Sequence, residues 1–158
     1  MPMHSQEITV NWGESDPFGL VYYPKMLQWF NDTEHDLFRQ VSHPIDGMIK
    51  HNKTTFVMGE VHFRFIGPAA YGDRVTCIIA LHEMRERTLH WNCKAFNTRT
   101  GAPITEGRAI RVYAKINDDG TLTSARIPDD IREALNSMGE VSLMHQDLSG
   151  ADYQSSSE

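Results

Sequence analysis

One long helical pattern, running from Pro24 to Val41, constrains this chain more than any other feature. Apolar side chains recur along it at three- and four-residue spacing and form a single stripe: Leu27, Phe30, Leu37, Phe38 and Val41. Pro24 suits the first helical position, where a backbone N–H would lack a partner in any case. Glu34 interrupts the stripe and is expected at its rim, because burying an unpaired carboxylate is costly. A helix with so apolar a face needs a sheet to cover it.

Strand-like segments supply that sheet. Ile8–Trp12 alternates apolar and polar residues, which predicts a half-buried strand before the helix. After the helix, four segments joined mostly by short turns are predicted as strands: Thr54–Ile66, Val75–Met84, Leu89–Phe96 and Pro103–Ile116. Short helical segments are predicted at Ile45–His51 and Pro128–Met138. The pattern predicts an α+β domain in which an antiparallel sheet of about five strands packs on one long helix.

Composition favours one soluble domain over residues 1–158, since 40% of the residues are hydrophobic and 23% are charged. Its core is expected at about 6–135, and the polar tail from about 139 to 158 is expected to be mobile. A net charge of −6 argues against nucleic-acid or anionic-membrane partners, because phosphate affinity comes from clustered Lys and Arg. Neither a signal peptide nor an apolar run of membrane length is visible. Cys77 and Cys93 are expected as buried free thiols, in keeping with a cytoplasmic protein.

The stretch that leads into the long helix carries the candidate chemistry. It reads Asp16-Pro17-Phe18-Gly19-Leu20-Val21-Tyr22-Tyr23-Pro24, which sets a carboxylate in a loop just before a helix start. The opening turn of a helix has unpaired N–H groups and a partial positive charge. A carboxylate facing those donors could attack a carbonyl while the donors bind the oxyanion. On the residues alone an ordinary turn is the simpler interpretation, because Asp-Pro and Gly are common turn residues.

The pattern Asp16-Pro17-x-Gly19-x-Val21-x-Tyr23-Pro24 resembles the 4-hydroxybenzoyl-CoA thioesterase family, which has the hotdog fold. Similar pieces follow in the same order at Arg85, Ile110–Ala114 and Ile127-Pro128-x-Asp130, so the resemblance covers roughly Ile8 to Leu135. It implies a sheet wrapped around the long helix. It also implies hydrolysis of an acyl-CoA with a small, aromatic, 4-hydroxybenzoyl-like acyl group to a carboxylic acid and coenzyme A. Asp16 would be the catalytic carboxylate, and the Tyr23 N–H would polarise the thioester carbonyl.

Three further sets of residues are candidate binding groups. Arg85 and Arg87, in a predicted strand–strand turn, could hold the phosphates of coenzyme A, although Glu86 interrupts the basic run that the family has there. Continuous alternation along Thr54–Ile66 places Glu60, His62 and Arg64 on one strand face with Phe56 and Met58. Glu60 and His62 could line a polar substrate site there. Gly19 in the acidic loop is a third candidate for substrate binding. For the arginines a solvated turn is the alternative, and for Glu60 and His62 a solvated sheet face.

Other chemistries lack their usual signatures. The sequence has no G-x-S-x-G elbow, Walker A loop, dinucleotide fingerprint or H-E-x-x-H motif. No metal site is expected, and no cofactor, since coenzyme A would be part of the substrate. A thioester suits the acidic loop because its carbonyl is electrophilic and its thiolate leaves readily.

Two other functions stay open. A hotdog-fold hydratase or dehydratase would need an acid/base pair, for which His62 could be enlisted. A binding module for acyl-CoA or acyl-carrier protein would look the same apart from Asp16. The resemblance also implies a homodimer or homotetramer with its sites at the subunit interface.

Overall fold

An antiparallel sheet and one long helix form the frame of the protein. The computed structural model describes residues 3–14 and 20–138, so Asp16, Gly19 and the predicted tail from 139 lie outside the described residues. The strands and the long helix are β1 Met3–Thr9, α1 Tyr23–Gln40, β2 Thr54–Phe65, β3 Arg74–Met84, β4 Thr88–Asn97, β5 Pro103–Ile116 and β6 Leu122–Ser124. A short α2, Ile45–Gly47, continues as a π-helical turn, Met48–Asn52. A last helix, α3, covers 129–138.

The sheet has the strand order β1-β3-β4-β5-β2, with β6 paired to the end of β5, and its ladders are antiparallel. β1 and β2 are therefore the edge strands of this path. The predicted α+β class with an antiparallel sheet is confirmed, and the three-residue β6 is an addition that the sequence pattern did not indicate.

Helix α1 lies against one face of the sheet and buries its apolar side there. Its Phe30 ring stacks on Phe63 with a centroid distance of 5.1 Å, and its Phe38 ring stacks on Phe56 at 5.3 Å. Each fully buried aromatic side chain of this size is worth roughly 1.5–3 kcal/mol of transfer free energy. The two stacks also fix the direction of α1, which runs from the Phe65 end of β2 toward its Thr54 end.

The first strand lies earlier than the alternation of Ile8, Val10 and Trp12 predicted. β1 pairs with β3 from Met3 opposite Ala80 onward, and Trp12 is 86% exposed beyond its end. Polar side chains of β1 can face α1 because α1 supplies partners. The His4 Nε2 lies 2.7 Å from the Asp36 Oδ2, and the Thr33 hydroxyl donates to the Gln6 side chain at 3.3 Å. Polar residues with partners break the apolar/polar rule on which the prediction relied.

A bulge in β2 corrects the predicted faces of that strand. The pairing with β5 slips between Met58 and Glu60, so Gly59 is an extra residue and the faces exchange there. Phe56 and Met58 therefore lie on the helix side with Val61, not with Glu60 as the continuous alternation predicted. A Cβ at Gly59 would lie 3.0 Å from a methyl group of the Val112 side chain, so a larger residue at the bulge requires that side chain to shift.

Candidate functional site

The start of α1 has one backbone donor that no described residue uses. The Tyr22 N–H donates to the Glu14 carbonyl at 2.9 Å, and the Lys25 N–H donates to the Tyr22 carbonyl at 2.9 Å. Pro24 has no N–H to offer. Among the described residues none accepts a hydrogen bond from the Tyr23 N–H, the first helical residue. Of the backbone N–H groups of Tyr22, Tyr23 and Lys25, only that of Tyr23 thus has no acceptor among the described residues.

The chain on both sides of residues 15–19 is anchored beside this helix start. On the near side, the Glu14 carboxylate accepts from the Asn11 N–H at 2.6 Å, and the Glu14 carbonyl holds Tyr22. On the far side, the Val21 N–H donates to the Ala69 carbonyl at 2.8 Å. The candidate catalytic Asp16 and the candidate Gly19 belong to the six residues between these anchors.

Exposed apolar side chains surround the helix start and continue along the edge strand β2. The Tyr23 ring lies 5.5 Å from the Phe65 ring and 5.2 Å from the Tyr22 ring. We call this group the edge surface; its members, between 43% and 55% exposed, are Tyr22, Tyr23, Met58, Val61, Phe65 and Ile66. An exposed apolar group beside an unpaired strand edge is a typical protein interaction surface.

A cavity of about 40 Å³ opens between α1 and the sheet. It begins one helical turn after Tyr23, at Leu27. Its apolar walls are formed by Leu27, Phe30, Met58, Val61, Phe63 and Ile79. Its polar lining comes from Asn31, Glu34, Trp91 and Arg111. A cavity of this size holds a few water molecules or part of a small acyl group.

The polar lining centres on a buried ion pair that the sequence analysis missed. The Arg111 Nε lies 2.9 Å from the Glu34 Oε1, and the Arg111 Nη2 donates to the Asn31 side-chain oxygen at 2.7 Å. Glu34 is 4% exposed and Arg111 is 8% exposed, so the predicted rim position of Glu34 is wrong. The sequence offers one signal for this pair, which is a charged residue in each of two apolar segments. Glu34 interrupts the apolar stripe of α1, and Arg111 interrupts the apolar strand β5. Their separation of 77 residues gave no reason to pair them.

Burial governs the protonation of Glu34. Loss of water raises the pKa of this carboxyl above its ordinary value of 4.5, and the positive charge and hydrogen bond of Arg111 offset only part of that rise. The imidazole of His35, next along the helix, has a lowered pKa because it is partly buried and lies near the Arg111 charge. The surroundings of Glu34 and His35 therefore disfavour the charged forms of both side chains.

Arg85 and Arg87 lie in the connection between β3 and β4, and both guanidinium groups are already engaged. Arg85 donates to the Glu83 carboxylate at 2.9 Å and 3.2 Å. Arg87 donates to the backbone and side-chain oxygens of Ser124 at 3.2 Å and 3.1 Å. The connection is also tied to α3, because Arg132 donates to the Arg85 carbonyl at 2.7 Å. A phosphate bound here has to compete with Glu83 or share Arg85 with it.

Within one chain, these arginines and the helix start lie at opposite ends of the sheet. The Tyr113 N–H donates to the Arg87 carbonyl, while Phe65, which contacts Tyr23, pairs with Thr105. Thr105 and Tyr113 are eight residues apart in β5, which is roughly 26 Å of strand. A site that uses both ends needs a substrate of that reach or a second copy of the chain.

Glu60 and His62 lie on the sheet face that turns away from α1. They pair with Ile110 and Arg108, whereas the cavity residues Arg111 and Ala109 point to the helix side. The structure does not bring Glu60 and His62 together with Tyr23 in one chain, and their role in substrate binding stays a prediction.

Neither a metal site nor a membrane span emerges from the part of the chain that the structure describes. Residues 3–14 and 20–138 contain no group of three or more His, Cys, Asp or Glu side chains arranged to hold a metal ion. No helix within these ranges combines the length and the apolar character needed to cross a bilayer.

A long helix packs against an antiparallel sheet, and no described residue accepts a hydrogen bond from the Tyr23 N–H at its start. Residues 10–135 match the family model described as the thioesterase-like superfamily, and the chain belongs to that superfamily. No curated protein matches.

Solved structures confirm the hotdog fold. A 1,4-dihydroxy-2-naphthoyl-CoA thioesterase from Synechocystis matches with a TM-score of 0.78 and 14% identity, over 87% of this chain and 98% of that one. The 4-hydroxybenzoyl-CoA thioesterase from Pseudomonas sp. strain CBS-3 matches with a TM-score of 0.76 and 19% identity, over 85% and 99%. A gentisyl-coenzyme A thioesterase matches with a TM-score of 0.72 and 23% identity, over 81% and 98%. At these identities the likeness concerns the fold.

Proposed function

We propose that this protein is an acyl-CoA thioesterase that hydrolyses a small, aromatic acyl-CoA to the carboxylic acid and free coenzyme A. The observation that carries the proposal is the Tyr23 N–H, which no described residue uses and which lies beside the anchors of the Asp16 segment. Asp16 follows Glu14 by two residues, and two residues of chain span at most roughly 7 Å. Asp16 thus follows within two residues of Glu14, whose carbonyl accepts from the Tyr22 N–H at the helix start, which supports its proposed role.

In the proposed reaction the thioester carbonyl oxygen accepts a hydrogen bond from the Tyr23 N–H. That bond strengthens as negative charge develops on the oxygen, which is the condition for lowering the barrier. Asp16 attacks the carbonyl carbon, the C–S bond breaks, and coenzyme A leaves as its thiolate; water then hydrolyses the mixed anhydride. In the other version Asp16 takes a proton from the water that attacks. Both versions give the same products.

Arg85→Ala tests the proposed phosphate site. We expect KM for the acyl-CoA to rise by about tenfold with a smaller change in kcat, because the phosphates do not change in the chemical step. Glu83→Gln is the matched variant: it frees Arg85 from its carboxylate partner and should lower KM. Steady-state kinetics at two salt concentrations measures both effects, and screening should shrink them at the higher one. If KM stays unchanged in Arg85→Ala and in Arg87→Ala, the phosphates bind elsewhere.

The proposed assembly is a homodimer or homotetramer that joins through the edge surface. Pairing of two copies would cover the apolar side chains around β2. It would also supply the second chain that a site combining Tyr23 with Arg85 and Arg87 needs. We expect a mass of two or four times 18.0 kDa by light scattering. Phe65→Glu should lower that mass, whereas Leu122→Glu, at an equally exposed apolar residue of β6, should not. A monomer mass at all concentrations would contradict the assembly and the shared site.

The hydratase alternative has little support, since His62 faces away from the cavity and from Tyr23 in one chain. An assay that separates the classes offers the protein benzoyl, 4-hydroxybenzoyl, phenylacetyl and short aliphatic CoA esters, together with an enoyl-CoA. A thioesterase releases free thiol from at least one aromatic ester and leaves the enoyl double bond intact. Hydration of the enoyl group without thiol release would assign the protein to the hydratases.

We also propose a cytoplasmic location. Cys77 and Cys93 are buried and unpaired, as expected where thiols stay reduced. Burial raises the pKa of each thiol to about 12, so neither is a reactive thiolate at neutral pH.

A further inference from the structure

Two tight turns at the helix-start end of the sheet hold an exposed pair of aromatic rings. Trp12 is 86% exposed and Tyr71 is 60% exposed, and their rings meet edge to face with a centroid distance of 5.6 Å. The other two tryptophans, Trp29 and Trp91, are buried. An edge-to-face pair leaves a broad ring face open, so the exposed pair is available to stack on a flat ligand.

Backbone hydrogen bonds fix the two turns against each other. The Val10 N–H donates to the Asp73 carbonyl at 2.9 Å, and the Gly72 N–H donates to the Val10 carbonyl at 3.0 Å. The Asp73 carboxylate closes the second turn by accepting from the Ala70 N–H at 3.0 Å. Each aromatic residue is followed by a glycine with a positive φ, +90° at Gly13 and +86° at Gly72. The rings therefore stand on a preorganised frame, which lowers the entropy cost of binding a ligand.

A guanidinium without a partner lies near this aromatic pair. The turn between β4 and β5 packs on the start of β3, because the Thr98 N–H donates to the Arg74 carbonyl at 2.9 Å. Arg74 follows Tyr71 by three residues, which span at most roughly 11 Å of chain. The next residue of the turn, Arg99, is exposed, and its backbone N–H donates to the Asn97 side chain at 3.0 Å. Its guanidinium has no partner among the described residues, so its five N–H donors can serve a phosphate.

The acidic side chains of the same region already have partners. The Glu7 Oε1 lies 2.5 Å from the Arg74 Nη2, and the Glu14 carboxylate accepts from the Asn11 N–H at 2.6 Å. The Asp73 carboxylate is held in its own turn. Among the charged side chains of these turns, the one left without a partner is thus a cation, which suits an anionic ligand.

We propose that Trp12, Tyr71 and Arg99 form a binding site for a nucleoside phosphate, with the base stacked on the aromatic pair and a phosphate on Arg99. Aromatic side chains stack on any base, because every base has a π-face, and a guanidinium binds phosphate through parallel hydrogen bonds. A hydrocarbon ligand would use the rings and leave Arg99 without a partner. Inorganic phosphate would use Arg99 and leave the rings exposed.

Two sources carry this chemistry, a free nucleotide and the nucleotide end of coenzyme A. The second source rests on the proposed thioesterase function. It is consistent with the place of the site, because Trp12 lies two residues from Glu14, whose carbonyl accepts from the Tyr22 N–H at the helix start. Tyr71 lies two residues from Ala69, whose carbonyl accepts from the Val21 N–H.

The test measures binding to the full chain by titration calorimetry and by tryptophan emission. One probe is ATP. The others are a thioether analogue of benzoyl-CoA, which contains no cleavable thioester, and the same thioether on phosphopantetheine, which lacks the nucleoside. We expect ATP or the coenzyme A thioether to bind and to change the emission of the wild-type protein, because Trp12 is its exposed tryptophan.

Trp12→Leu should weaken that binding by about 5- to 100-fold, the usual worth of base–aromatic stacking, and should abolish the change in emission. Trp12→Phe keeps a ring and should retain most of the affinity. Arg99→Ala should weaken binding by about tenfold, and by less at higher salt. Arg39→Ala is the control, at an exposed arginine in the last turn of α1, and should bind like wild type. All four positions are exposed or partly exposed to solvent on their side chains, so melting curves should stay close to wild type.

The outcomes separate the two sources. If the coenzyme A thioether binds more tightly than the phosphopantetheine thioether, by a factor that Trp12→Leu removes, the source is coenzyme A. If ATP binding depends on Trp12 while binding of the coenzyme A thioether does not, the source is a free nucleotide. Binding of neither probe, or binding that Trp12→Leu or Arg99→Ala leaves unchanged, would overturn the site.

Thiol release from acyl-CoA by the wild-type protein is measured separately. Loss of the nucleotide site as an explanation leaves hydrolysis, and with it the thioesterase function, standing. Binding of ATP that depends on Trp12, in a protein that hydrolyses no ester, would support the site and overturn the proposed function.

Discussion

Asp16→Asn should lower kcat for acyl-CoA hydrolysis by about 10²- to 10⁴-fold, the usual loss when a general base is removed. At about 1.4 kcal/mol per factor of ten, this is roughly 3–6 kcal/mol of barrier. The substitution keeps the size of the side chain and removes its charge and most of its nucleophilicity. Binding of a thioether analogue should persist, because the Tyr23 N–H and the cavity are unchanged.

Glu14→Gln is the matched control for that experiment. Its side chain accepts from the Asn11 N–H, a bond that an amide oxygen can also accept, so kcat should stay close to wild type. Stopped-flow thiol release measures both variants, and a melting curve confirms folding. An Asp16→Asn protein that folds normally and keeps near wild-type kcat would make Asp16 a turn residue only, and would direct attention to Glu14, Glu60 and His62.

Glu34→Ala should lower the free energy of unfolding by about 3–5 kcal/mol, because it leaves the Arg111 charge buried without its partner. Replacing both members, as Glu34→Leu with Arg111→Met, should cost far less and could stabilise the fold, since no unpaired charge remains. Arg64→Ala is the surface control: its pair with Glu106 is 3.9 Å apart and largely exposed, so its loss should cost under about 1 kcal/mol. Urea unfolding of all three measures the differences.

The same pair gives a pH dependence with a definite sign. The pKa of Glu34 is higher in the folded protein than its ordinary value of 4.5, so the folded state binds more protons in the window above 4.5. Stability from this group is therefore fully present below that value and is lost as pH rises toward the folded pKa. The unfolding free energy of wild type should fall relative to that of Glu34→Gln over this window. An unchanged difference from pH 4 to pH 8 would contradict the raised pKa.

Local patterns predicted the parts of the fold that local forces decide. Helix α1 begins within one residue of Pro24, and β5 has the predicted bounds Pro103–Ile116, because periodicity and turn residues fix both. The alternation of apolar residues predicts the first strand at Ile8–Trp12, whereas β1 spans Met3–Thr9. The difference arises because polar residues of β1 face partners on α1 that only the folded chain brings near. The faces of β2 were misassigned for a similar reason, since one glycine at a bulge exchanges them.

The candidate site likewise combines features that local sequence predicts with features that depend on long-range contacts. The helix start could be predicted because Tyr23 and Pro24 are contiguous in sequence with Asp16. The structure adds that the N–H groups of Tyr22 and Lys25 have acceptors, whereas the Tyr23 N–H has none among the described residues. The pairing of Glu34 with Arg111 depends on a contact across 77 residues, which no local pattern contains. The positions of Arg85 and Tyr23 at opposite ends of the sheet also could not be predicted from the sequence. They follow from the strand order, which only the folded structure shows.

Turnover of acyl-CoA thioesters by this chain is measured by counting the thiols released per chain. A hundredfold excess of an aromatic acyl-CoA is incubated with the wild-type protein, and free coenzyme A and the carboxylic acid are both quantified. We expect many equivalents of each product per chain, in equal amounts, because a thioesterase turns over repeatedly. At most one equivalent of thiol per chain, from a protein that still binds the thioether analogue, would contradict it and identify a binding module.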